Sequence, residues 1–237
     1  MKTIIHRNAT RGHEDHGWLD THHTFSFANY HNPERVHFGA LRVLNDDIVS
    51  PAMGFGAHPH DNMEIISIPL VGDLEHKDST GNGSIIRRND VQIMSAGTGI
   101  FHSERNPSAD QEVNFLQIWI FPKLKDIAPR YGQRTYSPED RKNKLQLVVA
   151  PEDKSEETLY INQDAWLSLG SLDAGKELNY SLHRQTNGVY AFLIAGETSI
   201  NGETLHSRDG AAFSETDELT IQAVEDAEIL LIEVPLK

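Results

Sequence analysis

The chain of 237 residues carries 21 Lys and Arg against 35 Asp and Glu, a formal net charge of −14, and contains no cysteine. Disulfides, thiolate metal sites and cysteine nucleophiles are thereby excluded. The acidity is lopsided: residues 1–150 hold 18 acidic and 16 basic side chains, residues 151–237 hold 17 and 5, so a direct grip on nucleic acid is not expected.

A chain of this length builds one large or two small domains, each with its own core. At the N-terminus, residues 1–7 lack the apolar run of a signal peptide, and no later stretch approaches the length that spans a bilayer. A cytoplasmic protein without membrane contact is expected. His13, His16, His22 and His23 follow as a dense group flanked by Gly12, Gly17 and the aromatic Phe25, Phe27 and Tyr30. They read as turn and strand packing rather than as a second metal site. Strands are predicted over residues 40–44, 64–70, 84–86, 91–94, 115–121, 145–150, 165–169, 189–194, 197–200, 211–213, 219–223 and 228–234. Gly72-Asp73, Gly81-Asn82-Gly83, Asn201-Gly202 and Asp209-Gly210 punctuate them as turns. No segment shows a long 3.6-residue apolar period, so helix should be scarce and the fold class all-β, a sandwich or barrel.

Within this pattern the chemistry concentrates in two short motifs, His58-Pro59-His60 with Glu64 beyond it, and His102-Ser103-Glu104. Positions i and i+2 of a strand share a face, so each motif aims two side chains at one point. Two such strands facing one another supply three imidazoles and one or two carboxylates. That set suits a divalent transition metal; calcium and magnesium prefer all-oxygen shells. Glu64 shares strand parity with His60, which leaves it three roles: direct ligand, support for an imidazole, or proton acceptor. Gly97 and Gly99 shape the turn that presents His102. Gln117 and Trp119 alternate on a strand and read as core packing ahead of barrel lining. His37, His76 and His206 are scattered and expected at the surface.

A weak internal repeat aligns residues 64–72 with 188–196, each followed by a strand introduced by Asp90 or Asp209. At the same offset, His58, His60 and Glu64 correspond to Leu182, Arg184 and Gly188. The second copy therefore carries no equivalent ligand set. Pro122, Pro129 and Pro138 with intervening charges place the boundary near Ser137, giving residues 1–137 and 138–237 as the two domains.

The run from His58 and His60 through Glu64 and Gly72, then Asp90 through Gly99 to His102 and Asn106, resembles the paired motifs of the cupin superfamily. His16-Gly17-Trp18-Leu19, His23 through Ala28, and Met94 through Glu104 resemble the pirin family more closely, and within it the bacterial members described as quercetin 2,3-dioxygenases. Gly97 stands where the general cupin motif has proline, and Gly54 and Gly56 replace its displaced glycine. The resemblance implies a bicupin of two jelly-roll barrels with one mononuclear ion in the first. Its ligands would be His58, His60, His102 and Glu104. Iron is the foremost ion implied, with Cu, Ni, Mn, Co and Zn also accommodated. It further implies oxidative cleavage of a flavonol by dioxygen, with Glu104 or Glu64 as base, in a monomer. The competing reading is a metal- or redox-responsive protein acting through protein partners. A sugar or phosphosugar isomerase is disfavoured, because only Arg87, Arg88 and Arg105 stand near the motifs.

Overall fold

The computed structural model describes residues 1–151 and 157–237, and among these the helical segments are two 3-10 turns, Asn8–Thr10 and Pro138–Arg141. Every predicted strand is present, most of them longer by a residue or more at one end. Glu64–Val71 and Asn187–Ala195 are buried along nearly their whole length, and their near-continuous apolar runs are what a strand covered on both faces needs.

The first half forms a seven-stranded sheet in the order Arg130–Thr135, Asp90–Ser95, Glu64–Val71, Val113–Ile120, Leu41–Val49, Leu19–His23, Gly12–Asp15. Beside it lies a four-stranded sheet in the order Gly54–His60, Ile100–Arg105, Leu74–Asp78, Gly83–Ile86. The second half repeats both. Its seven-stranded sheet runs Lys2–His6, Gly210–Ser214, Asn187–Ala195, Ala227–Pro235, Trp166–Leu172, Leu145–Ala150, Leu159–Tyr160. Its four-stranded sheet runs Glu177–Ser181, Glu218–Ala223, Glu197–Ile200, Glu203–His206. Glu64–Val71 and Asn187–Ala195, the two aligned copies of the sequence repeat, occupy the same third place in their sheets. Asn201 and Gly202 both take positive φ, +48° and +87°, as a two-residue type I′ hairpin requires.

Residues from both seven-stranded sheets share one core: Leu44, Ile66, Ile68, Leu116 and Ile118 pack with Leu167, Leu169, Tyr190, Phe192, Leu230 and Ile232. The two jelly rolls thus stand back to back through their larger sheets. The first half gives way to the second between Thr135 and Leu145. The expected division into residues 1–137 and 138–237 needs correction at its start. Lys2–His6 pairs with Gly210–Ser214 and completes the second sheet, where it covers an edge that would otherwise expose unpaired backbone groups. The interior of the second barrel is apolar, filled by Val189, Ala191, Leu205, Leu219, Ile221 and Leu231. Among the described residues no helix is long and apolar enough to cross a membrane.

Candidate metal centre

The two motif-bearing strands are hydrogen-bonded neighbours rather than facing partners: His102 lies opposite His58, and Ile100 opposite His60. The register shifts between His102 and Glu104, because Gly54–His60 carries an extra residue before His58. Such a bulge re-aims the side chains that follow it. Gly54 is needed where the strands meet, since a Cβ there would fall 2.4 Å from the Glu104 carbonyl oxygen. Gly97, at φ +50°, lies against the Ile127 carbonyl, 2.1 Å from where its Cβ would be, in the turn that leads to His102.

His58, His60 and His102 each bring one ligand atom to within 4.8 Å of the others. Their ring centroids are 4.5 to 4.9 Å apart. The Nδ1–H of His58 donates to the Gly56 carbonyl at 2.8 Å, which leaves Nε2 with its lone pair free. Nε2 of His60 and both ring nitrogens of His102 are buried without a hydrogen-bond partner. Burial, reinforced by His58, holds His60 down to about 4. Burial, with His58, His60 and His76 close by, holds His102 down to about 2. Neutral, desolvated imidazoles with unsatisfied nitrogens are what a transition-metal ion requires of its ligands.

Glu104 adjoins this cluster. Ser67 Oγ donates to its Oε1 at 2.7 Å and Gln117 Nε2 to its Oε2 at 2.6 Å. Burial pushes its carboxyl up to about 7 against those two donors. Its ligand atom falls in a second group with His102 and His76, again within 4.8 Å of one another. The residues present therefore fit one divalent ion, with His58, His60 and His102 on one side and Glu104 available beside His102.

Glu64 does not reach this site. The turn at Asn62, with φ +46°, separates it from His60 and cancels the parity argument. On its own strand it shares a face with Ile66 and Ile68 in the core between the barrels, while Ser67 faces Glu104. Its Oε2 accepts from Ser95 Oγ at 2.8 Å and from the Asn162 backbone N–H at 3.1 Å. The expectation of Glu64 as ligand or base is corrected: it is a fully buried link between the two halves. His76, expected at the surface, is fully buried beside His102. His13 and His22, read as packing, stack at the surface with centroids 4.4 Å apart and share the Asp20 carboxylate.

Above the histidines opens a cavity of about 450 Å³ lined by Trp18, Phe27, Phe55 and Trp119, with Asn45, Asp47, Glu104 and Gln117. Gln117 and Trp119 line the barrel instead of packing its core. Trp18 meets Phe55 edge-on at 5.2 Å, and Phe27 meets Trp119 at 5.3 Å, so aromatic pairs form the walls. Asp47, outside both motifs, is held by Thr21 Oγ1, and burial pushes its carboxyl up to about 7. Its signal in the sequence was slight, since it lies beyond the strand expected over residues 40–44, which in fact continues to Val49.

Paired jelly rolls with a metal-competent cluster in the first barrel define a bicupin. The chain belongs to the pirin family: residues 5–120 match the family's own model, and residues 147–234 match the quercetinase C-terminal cupin domain. It is 42% identical over 225 residues to a protein of Escherichia coli K12 named quercetin 2,3-dioxygenase, with 95% of each chain covered. It is 40% identical over 222 residues to a pirin-like protein of Caulobacter vibrioides, covering 94% of this chain and 95% of that one. The bacterial pirin YhhW of Escherichia coli, solved in complex with nickel(II), matches with a TM-score of 0.93 at 39% identity and covers 100% of both chains.

Proposed function

We propose that the protein is a metal-dependent dioxygenase that cleaves a flavonol such as quercetin, or a similar chelating hydroxy-ketone. The observation that carries this reading is the cluster of His58, His60 and His102, with buried, unpartnered nitrogens on His60 and His102, beneath an aromatic-walled cavity. The cavity volume lies in the usual range of roughly 300–1,000 Å³ for small-molecule sites. The names of the E. coli relative and of the nickel-bound pirin support both parts.

The ion, held by His58, His60, His102 and Glu104, would bind the hydroxy-ketone and lower the pKa of its hydroxyl. Iron leads among the ions considered, and the donor set also accepts nickel, copper, cobalt, manganese or zinc. Trp18, Phe27, Phe55 and Trp119 hold the planar ring system and exclude water from it. Glu104 takes the hydroxyl proton, and Ser67 and Gln117 keep its carboxylate aimed. Dioxygen then adds to the electron-rich ring. Both oxygen atoms enter the ring-opened ester, and the ring carbon that bore the hydroxyl leaves as carbon monoxide.

Quercetin absorbance and oxygen uptake, followed with and without air on metal-loaded and chelator-stripped protein, test the proposal. Loss of flavonol that requires both oxygen and metal is expected. A loaded protein that consumes no flavonol in air would overturn it and would favour the reading in which metal state governs binding to a protein partner.

A further inference from the structure

His102 has two ring nitrogens and an ion can take only one of them. A ligating imidazole as a rule donates its other N–H to a carboxylate, carbonyl or water. In this structure neither nitrogen of His102 has a partner, and the Nδ1 of His76 is also buried without one. The two rings stand 5.3 Å apart on adjacent strands, with His102 directly opposite Asp78 and Glu104 directly opposite His76. His76 and Asp78 are completely buried at the side-chain level.

The proton on His76 can be placed from its surroundings. Asp78 accepts from the backbone N–H and hydroxyl of Thr80 and from the backbone and side-chain amides of Asn82, at 2.7 to 3.3 Å. It has donors on both carboxylate oxygens and acts as an acceptor throughout. Nε2 of His76, 3.3 Å from Asp78 Oδ2, must then be the donor of that pair. Its Nδ1 is left as a lone pair, buried beside His102.

On the metal-centre reading, we infer that His76 is a positioning residue: it accepts the non-ligating N–H of His102 and, fixed by Asp78, sets the tautomer that presents the other His102 nitrogen to the ion. The chain runs from the Asp78 carboxylate to His76 Nε2–H, from His76 Nδ1 to the N–H of His102, and from the remaining nitrogen of His102 to the ion. Adding the ion and this one hydrogen bond satisfies every unpartnered nitrogen of His60, His76 and His102. No other arrangement of the His76 proton does so while Asp78 remains an acceptor.

Two substitutions break the relay at different links. H76Q keeps a group near Asp78 and removes the acceptor next to His102. D78N keeps an oxygen for the Thr80 and Asn82 donors and offers His76 an amide donor, which inverts the His76 tautomer. Each is expected to weaken zinc and nickel affinity by roughly 10- to 100-fold in competition with a chromophoric chelator, and to change the EPR signature of the copper(II)-loaded protein. H76N, whose Oδ1 falls near the position of Nδ1, should recover most of the loss. Unchanged affinities and spectra in H76Q and D78N would overturn the relay while leaving the centre intact. Wild-type protein that binds neither metal would overturn the metal-centre reading, and the relay with it. Should the variants fail to fold, ¹⁵N NMR of histidine in zinc-loaded wild-type protein decides: the proton of His76 is expected on Nε2, and a proton on Nδ1 refutes the proposal.

Discussion

Replacing Glu64 separates a structural carboxylate from a catalytic one. Glu64 is fully buried, its Oε2 serves Ser95 Oγ and the Asn162 N–H, and its Oε1 has no partner. In E64A both donors lose their acceptor. Each costs about 1–3 kcal/mol, and relief from burying a carboxyl offsets part, so a net loss of about 2–4 kcal/mol is expected in guanidinium unfolding. E64Q retains the acceptor and should stay within about 1 kcal/mol of wild type near pH 5. Burial raises the Glu64 pKa above its ordinary 4.5, against the Asn162 and Ser95 donors. The folded protein therefore favours protonated Glu64. That contribution is complete below 4.5 and fades as pH rises through the raised native value. The glutamine variant has no such loss, so its stability relative to wild type should climb as pH rises above 4.5. Metal content and oxygen-dependent quercetin loss should match wild type throughout. A tenfold fall in either, with the unfolding curve intact, would show that Glu64 reaches the ion and that its assignment to the seam between barrels is wrong.

H102A is expected to abolish uptake of nickel or zinc at micromolar concentration, and with it the stabilisation of about 2.7 kcal/mol that an ion at 100 times its Kd gives wild-type protein, read as a shift in Tm. E104Q should fold and lose at least tenfold in flavonol turnover, checked by steady-state kinetics on metal-loaded protein, because an amide cannot take the hydroxyl proton. D46A removes the acid beside the buried Arg11 and the interdomain Arg208, which should cost about 3–5 kcal/mol in denaturant unfolding. His6 is buried against Tyr190, and burial followed by the nearby Arg35 lowers it to about 4. Its neutral form stabilises the fold above its ordinary 6.5, and about 3 kcal/mol of this is lost as pH falls from 6.5 towards 4. A Tm–pH profile that is flatter in H6Q over that window would confirm it.

The repeat and the turn chemistry made the architecture legible before any coordinates. Asn201-Gly202 closes the hairpin its dipeptide specifies, and Glu64–Val71 and Asn187–Ala195 take equivalent places because the same apolar alternation buries both. Two of the strands not expected from the sequence are polar ones. Gly12–Asp15 and Leu74–Asp78 read Gly-His-Glu-Asp and Leu-Glu-His-Lys-Asp, sequences in which hydrophobic period gives no signal. Leu74–Asp78 alternates all the same, with Leu74 and His76 buried and Lys77 exposed, but its inward positions serve a polar interior. Lys2–His6 was placed with the wrong half because pairing with Gly210–Ser214 is settled by an unmet sheet edge some two hundred residues away, which local pattern cannot express.

The candidate centre was legible to the extent that its metal-competent residues lie within single strands. His58 with His60, and His102 with Glu104, follow from a period of two that holds inside each strand. The same rule failed for Glu64 because Asn62, in a left-handed conformation, breaks the strand between it and His60. It could not find Ser67 or Asp47 either, and it left Gln117 as core packing. Each is an ordinary polar residue, and each gains its meaning from what another strand sets opposite: Gln117 pairs in register with Ser67 on one side and Asn45 on the other, and Glu104 descends between the first two from the second sheet. The candidate ligand set is thus a property of short segments, whereas the groups that hold Glu104 in place and line the cavity depend on the register of three strands. The sequence motifs consequently mark the metal-competent cluster, and the cross-strand register determines which side chains surround it.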